Sequence, residues 1–249
     1  MRKQEEDRPA ARSYGNGVRV FDMIVDERRR TADLLATLTT EQLRQPSLCR
    51  VWTVHDVAAH LVSYLRHGQP KLYLGMLATA ADLDAVNVRL TRREARRPTH
   101  EIIELLRRRA DSRISMPRSG YDPVLTDLLL HDLDIRVPLG IPRSTPEHRL
   151  WLAFDHLTTR PALGFGLGSR LRDLRLVATD TGWAHGAGSP VRGPAEALLL
   201  AMSGRTVGFD RLDGAGVPLL RHRVASPPRH GPGRRIAMAL ALLANPLAG

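Results

Sequence analysis

Two histidines and an aspartate are the residues best suited to do chemistry in this chain of 249 residues. Asp127 and His131 are four apart, so on a helix they project from one face, a single turn from each other. His60 falls in a separate helical stretch whose face mixes apolar and polar side chains. Two imidazoles and a carboxylate on facing helices could grip one divalent cation and leave coordination positions open for reaction. Asp127 stands among Val124, Leu125, Leu128 and Leu130, where an unpaired carboxylate is costly to bury. A metal ion or an arginine must compensate it. Asp134, three beyond His131 on the same side, could orient the imidazole by accepting from its second nitrogen. The alternative for the same residues is a helix–helix cluster of salt bridges and hydrogen bonds without an ion.

Competing arrangements fail on geometry. His55 and His60 lie about 140° apart around a helix, and His60 and His67 share a face but sit about 10 Å apart along the axis. There is no His-Glu-x-x-His pattern and no phosphate-cradling Gly-Lys-Ser/Thr loop. The run Gly164 to Gly168 is glycine-rich but lacks dinucleotide-binding spacing and reads as a loop. Ser203 beside Gly204 has no nucleophile-elbow context. Cys49, near a helix start where the dipole can lower a thiol pKa, reads as a small packing residue.

The elements that must position these side chains are mostly helices. Val20, Ile24, Leu34, Leu35 and Leu38 recur at helical spacing from Val18 to Leu38. Thr39 with Gln42 forms a capping box for a short helix that ends before Pro46. After a loop from Pro46 to Trp52, Thr53 with Asp56 starts the helix that carries His60. It is expected to end near Gln69, where Pro70 interrupts or kinks it. A third long helix follows Pro98. A fourth begins at a cap and first-turn proline, Asp122-Pro123, and stops before Pro138 and Gly140. Four long helices in so short a span predict an antiparallel bundle.

The second half changes character. Leu174 to Ala178 and the stretch beginning at Trp183-Ala184 predict strands. Gly193-Pro194 opens a helix from Ala195 to Met202, and Val207 to Leu212 is expected as a third strand or a short helix. The expected fold is therefore α + α/β. Its parts are a disordered arm over 1–17, a helical bundle over 18–145, a small α/β domain over 146–225, and a linker with an apolar tail over 226–249. That tail, Ile236 to Ala244, is too short to span a bilayer, which takes roughly 20 residues.

Composition narrows the function classes. Hydrophobic residues make up 43% and charged residues 25%, as in ordinary soluble domains. The net charge of +11 raises a nucleic-acid partner as a possibility. However, the basic residues are scattered arginines on predicted helices, which reads as a solvated surface. The chain has no zinc finger, basic zipper or RNA-binding aromatic motif. Nucleic acid is thus not the expected partner. One cysteine excludes a disulfide scaffold. A cytoplasmic monomer or homodimer with a small-molecule substrate and no membrane partner is expected.

The stretch Leu38-Thr39 to Gln42, Pro46-Ser47-Leu48-Cys49, Trp52-Thr53-Val54 and Asp56-Val57-Ala58-Ala59-His60-Leu61 resembles the mycothiol-dependent maleylpyruvate isomerase family. The resemblance continues through His131-Asp132-Leu133-Asp134-Ile135-Arg136 and Pro138-Leu139-Gly140. It extends to Leu176 to Asp180, Trp183, and Arg192-Gly193-Pro194-Ala195-Glu196-Ala197-Leu198-Leu199, covering roughly 18 to 222. It implies a DinB-like metal-binding four-helix bundle with a small C-terminal α/β domain. It also implies that His60, Asp127 and His131 hold a divalent cation, zinc above nickel or iron, with Asp127 in place of the family's Glu. The implied second cofactor is a low-molecular-weight thiol, mycothiol. The implied reaction is isomerisation or S-transfer on a small electrophilic acid such as maleylpyruvate, with Arg192 or Arg205 holding a substrate carboxylate. Two other readings stay open: a non-catalytic metal-binding or regulatory protein, and a basic nucleic-acid-binding protein.

Overall fold

The computed structural model describes residues 17–49, 51–78, 83–115, 120–159 and 171–225, without the side chains of 17–18 and 67–84. The expected N-terminal arm, the Gly164 to Gly168 loop, and the linker and apolar tail fall outside these residues. Two compact units emerge: Met23–Thr145, and Pro146–Ser226 together with the chain up to Asp22.

The first unit is helical. Among the described residues it holds most of α1 (Gly17–Thr37), α2 (Thr40–Arg44), α3 (Val54–Ala78), α4 (Leu83–Glu94), α5 (Thr99–Arg108) and α6 (Asp122–Arg136). Helix α3 packs against α2, α4, α5 and α6. The start of α2 is capped as predicted: Gln42 N donates to Thr39 Oγ1 and Thr39 N to Gln42 Oε1. At α3 the box closes with Asp56, which accepts from Thr53 N at 2.9 Å while Asp56 N donates to Thr53 Oγ1 at 3.1 Å. These paired bonds satisfy amides that the first turn leaves free.

Three expectations need correction. Helix α3 does not stop near Gln69 but runs through Pro70 to Ala78; a proline removes one backbone donor, a loss that a long helix packed along a neighbour can absorb. Helix α4 is not among the predicted helices. Its buried positions are Val86, Thr91 and Glu94, so its inward stripe is too polar to show an apolar period. Helix α6 begins at Asp122 with Tyr121 before it, so Asp122 lies in the first turn rather than at the cap.

Helix α6 is buried almost all round. Leu125, Leu128, Leu129, Leu130, Leu133 and Ile135 join the core with Val57, Ala58, Leu61 and Val62 of α3, Ile24 and Leu35 of α1, and Ile102 and Leu106 of α5. The arginines of this unit mostly face outward as predicted, but Arg28 does not. It is buried, donates to the carbonyls of Ala110 and Ser112 at 2.7 and 2.8 Å, and has its pKa lowered to about 10 by that burial.

The second unit opens on α7 (Glu147–Thr159), another helix absent from the predicted set, although Leu150, Ala153, Phe154 and Leu157 keep helical spacing and are buried. A three-stranded sheet in the order β2-β1-β3 follows. Strands β1 (Leu174–Ala178) and β2 (Ala184–His185) are antiparallel, and β3 (Ser189–Gly193) is parallel to β1. The third strand is thus 189–193, and of the two forms expected for 207–212 the short helix is the one found, a 3-10 helix over Thr206–Arg211. Helix α8 (Ala195–Met202) is capped at a distance by Asp180, which accepts from Ala195 N at 2.8 Å. Gly208 of the 3-10 helix lies so close to α8 that a Cβ would come within 2.6 Å of Ala197 O. Helix α9 (Val217–Ala225) ends the described chain. No described helix is long and apolar enough to cross a membrane.

Candidate metal centre

The structure brings His60, Asp127 and His131 together, with one ligand atom from each within 4.8 Å of the others. Asp127 Oδ2 lies 3.7 Å from His60 Nε2, and Asp127 Oδ1 lies 3.3 Å from His131 Nε2. For ligands about 2.0–2.1 Å from a tetrahedral ion, neighbouring donors sit roughly 3.4 Å apart, so these spacings suit one shared cation. No arginine or lysine pairs with Asp127 among the described residues; its ion-pair partners are the two imidazoles. The side chains of His60 and His131 are 2% and 5% exposed, whereas Asp127 keeps 21%. The site is therefore reached from the carboxylate side.

Both rings are held by their other nitrogen. His131 Nδ1 donates to Asp134 Oδ2 at 2.9 Å, and Asp134 is fully buried. His60 Nδ1 lies 3.4 Å from Thr91 Oγ1 on α4. With the Nδ1 protons assigned to these contacts, both Nε2 atoms face Asp127, where a cation can take the place of a proton. Metal-ligating histidines are commonly held in this way.

The loop before α3 completes the surroundings. Ser47 N donates to Trp52 O, Trp52 N to Cys49 O, and Val54 N to Gln45 O, which closes a tight turn. Leu48 N donates to Asp134 O at 3.2 Å, and the Cys49 thiol donates to Asp134 Oδ2 at 3.0 Å. The turn sets the Trp52 ring against both imidazoles, 5.0 Å from His60 and 6.3 Å from His131 by ring centroids. Tyr64 meets His60 edge-on at 5.3 Å and hydrogen-bonds Asn87 of α4. His55 is occupied elsewhere, with Nδ1 3.0 Å from Thr99 Oγ1 and Nε2 3.0 Å from Ala95 O.

These contacts move the proton affinities. Burial pushes the pKa of His60 below the ordinary imidazole value, against the pull of Asp127. Burial acts on His131 in the same direction but is outweighed by the Asp127 charge and by bonds to Asp127, Asp134 and Cys49, which raise its pKa well above the usual value. For Asp127, burial favours the neutral acid, yet His131 and the contacts from both rings hold it far below the ordinary carboxylate range.

Sequence reasoning misses Thr91 and Asn87, because α4 itself carries no apolar period. It also misses the role of Cys49, whose approach to His131 and Asp134 depends on how the turn folds back onto α6. Arg192 and Arg205 belong to the second unit. Arg192 is exposed on β3, where its backbone pairs with Asp213, and Arg205 donates to Ser203 O at 3.0 Å.

Residues 24–122 match the family model described as the mycothiol maleylpyruvate isomerase N-terminal domain. The matched segment holds α2, α3, α4 and α5 and carries His60. The match agrees with the resemblance carried by the sequence around Trp52 and His60. A crystal structure of the mycothiol-dependent maleylpyruvate isomerase is similar to this chain with a TM-score of 0.55 and 12% identity, covering 81% of this chain and 93% of that one. A structure of a histidine-to-alanine mutant of the same enzyme gives 0.56 and 11% over the same shares. At this identity the likeness speaks for a shared fold. No curated protein matches the sequence.

Proposed function

We propose that the protein is a metal-dependent, thiol-using enzyme of the mycothiol-dependent maleylpyruvate isomerase type. It carries out isomerisation or S-transfer on a small electrophilic acid such as maleylpyruvate. The helical unit is read as a DinB-like antiparallel four-helix bundle. His60, Asp127 and His131 hold the divalent cation, with zinc favoured over nickel or iron for this donor set. The observation that carries the reading is the pair of tethered imidazoles. Each has Nδ1 engaged, by Thr91 or Asp134, and each turns Nε2 toward the one partly exposed carboxylate.

A divalent cation bound there supplies Lewis acidity, lowering the pKa of a coordinated thiol such as mycothiol, or of water. The chain's own residues do the rest. Asp134 keeps the proton of His131 on Nδ1, and Thr91 does the same for His60, so neither ring has to reorient when the ion arrives. Trp52 and Tyr64 flank the imidazoles and exclude water from their faces. Arg192 or Arg205 is proposed to pair with a carboxylate of the substrate, where a guanidinium fork fits two oxygens.

The test uses protein purified without a histidine tag, loaded with zinc, and assayed for cis–trans isomerisation of maleylpyruvate with and without mycothiol. Turnover that needs both thiol and ion, and is lost in His60→Ala, supports the proposal. A bound ion without turnover under any thiol condition favours a non-catalytic metal-binding protein instead.

A further inference from the structure

His131 takes part in two ligand sets. Its Nε2 faces Asp127, whereas its Nδ1 lies 3.8 Å from Cys49 Sγ and 2.9 Å from Asp134 Oδ2, with Cys49 Sγ and Asp134 Oδ2 3.0 Å apart. A thiol, an imidazole nitrogen and a carboxylate oxygen thus converge on one point. From bond lengths of about 2.3 Å to sulfur and 2.0–2.2 Å to nitrogen and oxygen, a tetrahedral ion spaces such donors by roughly 3.4–3.6 Å. The three observed separations bracket that range. An ion entering here replaces the two hydrogen bonds on Asp134 Oδ2, and the donors need to spread from that oxygen by only about half an ångström.

We propose that Cys49, His131 and Asp134 form a second, thiolate-bearing cation position, selective for thiophilic ions such as cadmium or excess zinc and sharing the His131 ring with the first. Thiolate favours soft or borderline ions over magnesium or calcium. Binding releases the Cys49 Sγ proton and the His131 Nδ1 proton to solvent and leaves Asp134 as the carboxylate it already is. Because the two positions use opposite nitrogens of one imidazole, filling the first weakens the second by charge repulsion. The partial exposure of Cys49, beside buried Asp134 and His131, gives an ion a way in from the turn over 47–52. This position uses neither His60 nor Asp127, so His60→Ala leaves its donor set intact.

Cobalt and cadmium titrations of the untagged, metal-stripped full chain separate the two positions. Thiolate ligation gives an intense sulfur-to-metal charge-transfer band in the near ultraviolet, and imidazole–carboxylate ligation does not. In the unaltered chain the band is expected to grow after the first equivalent is bound. Cys49→Ser is expected to abolish the band and keep the first equivalent. His60→Ala is expected to lose the first equivalent and keep the band, and His131→Ala to lose both. Reaction of Cys49 with a thiol reagent on the unaltered protein, which needs no variant to fold, should be blocked by cadmium. If no band forms at any loading, and Cys49 stays fully reactive under saturating cadmium, the second position does not exist. A band with no ion held by His60 and Asp127 would keep this proposal and overturn the reading of the first centre.

Discussion

Helix α6 buries charge toward two different neighbourhoods. On one side Asp132 meets Arg136 at 2.8 Å and Arg143, and Arg143 in turn meets Glu27 of α1 at 2.9 Å. Two carboxylates face two guanidinium groups, so the charges cancel within the protein. On the other side Asp127 and Asp134 meet imidazoles and a thiol. Even with His131 protonated, two carboxylates and one imidazolium leave a net negative charge. A divalent cation in place of that proton brings the sum to zero. A cluster compensated by arginine is complete as folded, whereas one built on imidazoles has room for an ion.

The comparison breaks most visibly if the arginine side is cut. Arg143→Ala removes the guanidinium between buried Asp132 and Glu27, leaving Asp132 with Arg136, and is expected to cost about 3–5 kcal/mol of stability in urea unfolding, with divalent-ion affinity of the folded protein little changed. A large affinity loss with small stability loss would place Arg143 in the site instead. On the imidazole side, Asp134→Asn is expected to lower metal affinity about 10–100-fold, read by competition with a chelating dye.

The raised pKa of His131 predicts the pH behaviour of the metal-free protein. Its folded pKa lies above the unfolded value of about 6.5. The stabilisation is therefore fully present below that pH and is lost as pH rises through the folded pKa. Urea midpoints of chelator-treated protein should fall across that alkaline window, and His131→Gln should flatten the fall. Smallest is the helix cap: Thr53→Ala should cost about 1 kcal/mol, weakening the start of α3 without removing the ion.

Much of this was legible in the sequence because it is local. The capping boxes at Thr39 and Thr53, the four-residue spacing of Asp127 and His131, and the Asp134 contact to His131 all lie within a turn or two of one helix. The apposition of His60 with that face followed from packing two helices that each bury a mixed stripe. The missed parts depend on contacts distant in sequence. Helix α4 turns Thr91 and Glu94 inward alongside Val86, so its period is hidden, and with it the partner of His60. Cys49 looks like a packing residue until the turn over 47–52 folds its thiol onto Asp134. Strand β3, Ser-Pro-Val-Arg-Gly, gains its pairing from β1 rather than from its own residue preferences.

The central claim is that His60, Asp127 and His131 jointly hold one divalent cation. Elemental analysis of untagged protein, dialysed against zinc and then freed of loose ions, measures this directly. The account predicts about one tightly held ion per chain in the unaltered and Cys49→Ser proteins, and none in folded His60→Ala. Folded, unaltered protein that retains no ion, or His60→Ala that retains as much as the parent, would contradict it.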